Sequence, residues 1–127
     1  PLAAERGTGA ASALIGHDNR LLSAQVRLYA DGVKAAQAVL EGKAAAAYVT
    51  RAQAESAIFR APTRPQHVDI SDFPLTGVPP QGWLVGMAIK ATNDELGQAL
   101  QQALQSLRGS GELLAIFKQH GLTLTAP

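Results

Sequence analysis

The stretch Leu2-Ala3-Ala4-Glu5-Arg6-Gly7-Thr8-Gly9-Ala10-Ala11-Ser12-Ala13-Leu14-Ile15-Gly16 sets the pattern for the whole chain. A short apolar strand over residues 2–5 runs into the turn Arg6-Gly7-Thr8-Gly9. A helix then follows over residues 10–15, with Thr8 or Gly9 near its N-cap and Gly16 at its end. The same rhythm repeats. Residues 25–29 alternate as a second strand, and Asp31 caps a helix to about Glu41 that carries Val33, Ala36 and Leu40 on one face. Gly42 stops that helix. Residues 44–49 form a continuous apolar run, the pattern of a central parallel strand buried on both faces. Thr50-Arg51-Ala52-Gln53 has the spacing of a capping box and starts a helix that ends near Phe59.

Beyond this point the rhythm changes. The connector Pro62-Thr63-Arg64-Pro65 leads to a short strand around residues 67–70. Residues 74–82 carry three prolines and two glycines and cannot continue a regular element. Residues 83–89 read as a fifth strand. Thr92-Asn93-Asp94-Glu95 is a second capping box, opening a helix to about Arg108 with Leu96, Ala99, Leu100, Ala103, Leu104 and Leu107 on its core face. Gly109 breaks it. A last helix over residues 112–120 turns Leu113, Ile116 and Phe117 inward and ends at Gly121. Alternating strands and helices imply an α/β fold with parallel strands, right-handed crossovers and helices on both faces of the sheet. The closing strand and two helices do not continue that order and read as part of a different domain. The division is residues 1–73 for an α/β lobe, 74–82 for a crossover and 83–127 for a piece of another lobe.

Composition narrows the function classes. In 127 residues, 46% are hydrophobic and 17% charged, enough for a packed core and without a disordered tract. The net charge is +1 and the signs are interspersed, so no clustered basic footprint for nucleic acid or a membrane surface is present. The absence of cysteine excludes disulfides, thiolate metal sites and a thiol nucleophile. His17, His67 and His120 are far apart and lack the spacing of a zinc site. There is no G-x-S-x-G elbow, and Gly7-Thr8-Gly9 lacks the third glycine of a dinucleotide fingerprint and the lysine of a P-loop. An enzyme is therefore not expected, and neither a catalytic residue, a metal nor a cofactor is read from these residues. A strand at the first residue also leads us to expect preceding sequence.

Three stretches carry a family likeness. The strand running into Arg6-Gly7-Thr8-Gly9 resembles the strand–x-G-T opening of the second lobe in amino-acid-type, type II periplasmic solute-binding proteins. Residues 36–46, AQAVLEGKAAA, are similar to that family's ALxxGxxDA passage from helix to strand. The tail resembles its closing segment, with Gly86-Met87-Ala88-Ile89-Lys90 followed by Asp94-Glu95-Leu96, Ala103-Leu104, Leu107, Gly111, Ile116 and His120-Gly121. The likeness runs through nearly the whole chain. It implies two α/β lobes joined by crossover strands, a solute held in the cleft between them, and delivery to the permease of an ABC-type transporter in the periplasm. Residues 83–127 would then belong to the first lobe, with the N-terminal half of that lobe absent from the chain. The apolar face so exposed would be covered by a second copy, through a homodimer or exchange of the tail, or would splay from the first part.

The resemblance singles out a few residues. The Gly7-Thr8-Gly9 turn offers backbone N–H groups, a hydroxyl and the positive end of a helix dipole, a seat for a ligand carboxylate; the same residues also make a plain cap and tight turn. Thr50 stands where the family usually has an aspartate that pairs with a ligand ammonium group. A neutral hydroxyl cannot supply that charge-assisted bond, which puts an ordinary α-amino acid in doubt and favours another small polar or anionic molecule. Thr50 also reads as a helix cap alone. Arg51 leans toward the cleft or is solvated, and Tyr29 either lines the cleft or lies half in the core. Gln81, Gly82 and Trp83 fall at the hinge. Two other readings use the same fold: a ligand-sensing domain of a receptor or regulator, and a periplasmic accessory protein docked on a redox enzyme.

Overall fold

The computed structural model describes residues 1–63, 67–79 and 84–125. These form two compact units, Pro1–Gly82 and Trp83–Pro127. The protein is a small α/β protein with a three-stranded parallel sheet and five α-helices among the described residues.

Unit 1 follows the alternation of its sequence closely. Strand β1 (Leu2–Glu5), helix α1 (Gly9–Arg20), strand β2 (Val26–Tyr29), helix α2 (Gly32–Leu40), strand β3 (Ala46–Tyr48) and helix α3 (Arg51–Arg60) succeed one another, with one turn of 3-10 helix at Ser23–Gln25. The caps read from the sequence form here. Thr8 Oγ1 accepts from the Ala11 N–H at 3.1 Å, and Asp31 accepts from the Lys34 N–H at 2.8 Å. Thr50 and Gln53 complete both halves of a capping box. Within α1, His17, Asp18 and Asn19 leave helical geometry, so the regular turns stop at Gly16 as its sequence suggests. Asp18, Asn19 and Arg20 then take positive φ of 47°, 53° and 69°. Asp and Asn tolerate that region because their short side chains bond locally, whereas arginine does not.

The strand order is β2-β1-β3, all parallel, with Ala3 opposite Arg27 on one side and Ala47 on the other. The central strand is therefore β1, not residues 44–49 as the apolar run suggests. The connection through α2 carries the chain across β1, which leaves β3 at an edge. Ala3 and Ala4, fully buried, face opposite sides of the sheet. Ala3 packs with Ala35, Ala38 and Ala44 on the α2 side, and Ala4 with Ala11, Leu14 and Leu75 on the α1 side. The α2-side cluster is built from alanines, whereas Leu14 and Leu75 share the α1-side cluster with Ala4 and Ala11. In α2 the buried residues are Gly32, Ala35, Ala36 and Ala38; of the expected face Ala36 is buried, while Val33 and Leu40 are only half-buried. The expected strand around residues 67–70 does not form, because no neighbouring strand is there to take its backbone groups. The Pro/Gly-rich stretch nonetheless folds back onto this unit. Leu75 is buried under α1 beside Val78, and the Tyr48 hydroxyl donates to the Phe73 carbonyl at 2.8 Å.

Unit 2 holds helices α4 (Asp94–Gly109) and α5 (Glu112–Gln119), packed on each other. Asn93 is the N-cap of α4 and accepts from the Leu96 N–H at 3.1 Å, one residue on from the Thr92 expected. Gly111, at φ 82°, makes the turn between the helices. The strand expected at 83–89 is absent from residues 84–89, which are all exposed, Val85 by 92%. An apolar segment becomes a strand only beside another strand, and none of the described residues offers one to it. None of the described residues of this unit is buried; Leu100, Leu107, Leu113 and Phe117 are half-covered, whereas Ile116, expected to point inward, is exposed.

Candidate functional site

The C-terminal ends of parallel strands gather the loops that precede the helices, and their N–H-rich helix starts face the same edge. In unit 1 the edge has a further property. The chain leaves β1 for α1 on one face of the sheet, and leaves β3 for α3, which packs with α2 on the other face. Neighbouring strands β1 and β3 thus send their connections to opposite sides. That is a topological switch point, the place where open α/β sheets take their ligands.

All six sequence-predicted ligand-binding residues lie at the ends of the sheet's strands or at the helix starts that follow them. The Thr8 hydroxyl follows β1 and is committed on both sides, donating to the Glu5 carbonyl at 2.8 Å and accepting from Ala11. An anion at this turn therefore meets the first helical N–H groups, of Gly9 and Ala10, rather than the hydroxyl proton. Gly7 and Gly9 are exposed, and Gly7 holds a φ of 78° that a side chain would strain. Thr50 follows β3; its hydroxyl accepts from the Gln53 N–H at 3.2 Å, and its own N–H donates to Gln53 Oε1 at 3.1 Å. Arg51 faces carboxylates instead of standing free, 4.0 Å from Glu55 and 3.8 Å from Asp72. Tyr29, half-buried at the end of β2, packs on the alanine layer beneath α2, and its carbonyl accepts from the Arg6 N–H at 2.9 Å. The proposed hinge residues Gln81, Gly82 and Trp83 lie outside the described residues.

The centre of the edge is a side chain the sequence reading passed over. Glu5, the last residue of β1, points to the α2 side as the strand's alternation requires. Its Oε2 accepts from the Gly32 N–H at 3.0 Å and from Gln53 Nε2 at 2.7 Å. The carboxylate thus sits at the positive end of the α2 dipole. Gln53 bridges two loops, holding Glu5 with its amide nitrogen and Thr50 with its amide oxygen. Gly32 makes room for that bridge: a Cβ there would lie 2.1 Å from Gln53 Oε1. The signals were present in the sequence, as a lone acid closing an apolar strand and a glycine directly after the Asp31 cap. What they lacked was the spatial meeting with Gln53, 48 residues along the chain from Glu5.

A separate open groove of about 660 Å³ lies within unit 2, lined by Met87, Ile89, Gly97, Leu100 and Leu104 among others. None of the sequence-predicted site residues lines it. No cluster of three His, Asp or Glu suited to a metal occurs among the described residues, and no helix among them is long and apolar enough to cross a membrane. Comparison with known proteins finds no matching family model, no matching curated protein and no matching solved structure.

Proposed function

We propose that unit 1 is the greater part of the second lobe of a type II periplasmic solute-binding protein. It would hold a small polar or anionic molecule in an interlobe cleft for an ABC-type membrane transporter. The observation that carries this reading is the switch point between β1 and β3, with Gly9, Ala10, Glu5 and Thr50 gathered at one sheet edge. Open α/β sheets take their ligands there because helix N-termini and strand ends converge while the rest of the sheet is covered. Closure around the solute would arise from contacts made only in the closed state. Delivery to a permease in the periplasm, and assignment of residues 83–127 to the first lobe, belong to the same proposal.

Thermal denaturation of the protein against a library of small solutes tests this. A ligand of the native state raises the melting temperature; at a concentration of about 100 times Kd the gain is ~2.7 kcal/mol. The double variant Thr8→Ala, Gly9→Pro should abolish that shift while the fold survives. Gly9 is the first residue of α1, where proline's missing N–H and fixed φ are tolerated, and Thr8 already has the extended backbone (φ −95°, ψ 154°) that precedes proline. An unchanged shift in the variant would remove the β1–α1 turn from the site.

A further inference from the structure

We infer that helix α4 is a self-association surface, and that its occupant is α4 of a second copy of this chain, lying antiparallel about a two-fold axis through Gln101. The inference concerns unit 2 alone, goes beyond the solute-binding reading and does not rest on it.

Three observations converge. Residues 96–107, the middle of α4, hold leucine, alanine, glutamine, glycine and serine and no charged side chain. Of these residues only Gly97, Leu100 and Leu107 are half-buried; the rest are exposed. A solvated helix face ordinarily carries charge, whereas the core of a protein interface is depleted in it. The groove of unit 2 runs along one line of this helix. Asp94, Gly97, Gln101, Leu104 and Arg108 all line it, and they follow one another at alternating steps of three and four residues. That spacing makes a continuous seam on one face, the pattern through which two helices pack. Met87 and Ile89 form a wall of the groove, and Ile89 rests over Gly97, where a Cβ would lie 2.6 Å from its Cδ1.

The third observation names the occupant: the seam is complementary in charge to itself. It opens on Asp94 and closes on Arg108, each seven residues from Gln101 and so about 10 Å to either side of it. Turned about a two-fold axis at Gln101, each Asp94 meets the partner's Arg108, and the contact is made twice. A parallel arrangement would instead set Asp94 and Glu95 against their own copies. Neither Asp94 nor Arg108 enters an ion pair among the described residues, so both charges are open to such a contact. At the axis Gln101 meets the partner's Gln101. An amide both donates and accepts, so the two side chains satisfy each other, and a polar pair at the centre of a seam fixes its register. An unrelated partner has no need of this symmetry, whereas a two-fold dimer requires it.

The test is sedimentation equilibrium of the 127-residue protein over concentrations up to millimolar, where the mass should rise from 13.2 kDa toward twice that value. Asp94→Lys and Arg108→Glu, made singly, each turn two attractions into two repulsions and should weaken the dimer about tenfold. Mixed in equal amounts, the two variants should pair with each other as tightly as the original chain pairs with itself, because both contacts again join opposite charges. Circular dichroism shows whether each variant keeps its helices. If either does not fold, Gln101→Glu decides. It sets two carboxylates together on the axis, and an undiminished dimer overturns the inference. A monomer at every concentration overturns it too and leaves the face to another occupant. So does a dimer that both charge variants leave intact, or a weakened one that mixing fails to restore. The melting-temperature shift with solutes reads the edge of unit 1, so its outcome and this one fail separately.

Discussion

Gly32→Ala is a substitution whose sign separates local from tertiary reasoning. Gly32 opens α2 and its φ lies outside the left-handed region, so alanine can adopt its backbone. By local propensity the change should stabilise the fold by roughly 0.4–1 kcal/mol, since glycine loses more freedom on folding. The tertiary geometry opposes this. The new Cβ would lie 2.1 Å from Gln53 Oε1, 2.2 Å from Cδ and 2.5 Å from Nε2, so the whole amide must leave. With it go the 2.7 Å bond to Glu5 and the 3.1 Å bond from the Thr50 N–H. A hydrogen bond to a charged group is worth about 1.5–3 kcal/mol, taken here as ~1–2 because both partners are half exposed. The second bond adds ~0.5–1 kcal/mol. After the propensity gain, Gly32→Ala should destabilise unit 1 by about 1–2 kcal/mol, a fall in Tm of roughly 5–15 °C for a unit of this size. Urea denaturation followed by the NMR signals of Ala3 and Ala4 reports on unit 1 alone. A Gln53→Ala background removes the three atoms nearest the Cβ, and the same substitution should become neutral or stabilising, a coupling that a double-mutant cycle measures directly. If Gly32→Ala proves as stable as the original protein, the Glu5–Gln53–Thr50 bridge contributes nothing, and the account of the site's centre fails with it.

Three further predictions concern the fold that carries the site. Ala4→Leu should cost about 1–3 kcal/mol by overpacking the α1 side of the central strand, whereas Ala46→Leu on the exposed edge strand should stay within roughly ±0.5 kcal/mol. Equal effects by urea denaturation would contradict the strand order. Leu75→Ala should cost about 2–3 kcal/mol, because Leu75 is 4% exposed and fills the layer with Ala4, Ala11 and Leu14; a loss below ~0.5 kcal/mol would mean that this stretch is not docked. Arg20→Gly should stabilise the protein by about 0.5–1 kcal/mol by relieving a φ of 69°, and a lower melting temperature would show that the arginine side chain holds contacts outweighing the strain.

The sequence alone determined the local grammar of this protein. Thr8, Asp31 and Thr50 each start a helix because a short oxygen-bearing side chain can satisfy an N–H two or three residues on, a relation that needs no tertiary partner. The extents of α4 and α5 were legible to within a residue or two, although the cap of α4 is Asn93 and not Thr92, and Gly109 is still helical. The parallel sense of unit 1 was also legible, since parallel strands need a crossover and the helices between successive strands supply it. Strand order was not. An apolar run such as residues 44–49 reports that a strand can be buried, but only the path of α2 across β1 places Ala3 and Ala4 at the centre and β3 at the edge. Nor could residues 84–89 be read correctly, because a strand exists only where a neighbour accepts its backbone. For the same reason the candidate site was half visible. Its caps lie within single turns of chain, whereas Glu5, Gly32 and Gln53 come from three elements and become one feature only once the sheet and two helices bring them within hydrogen-bonding distance.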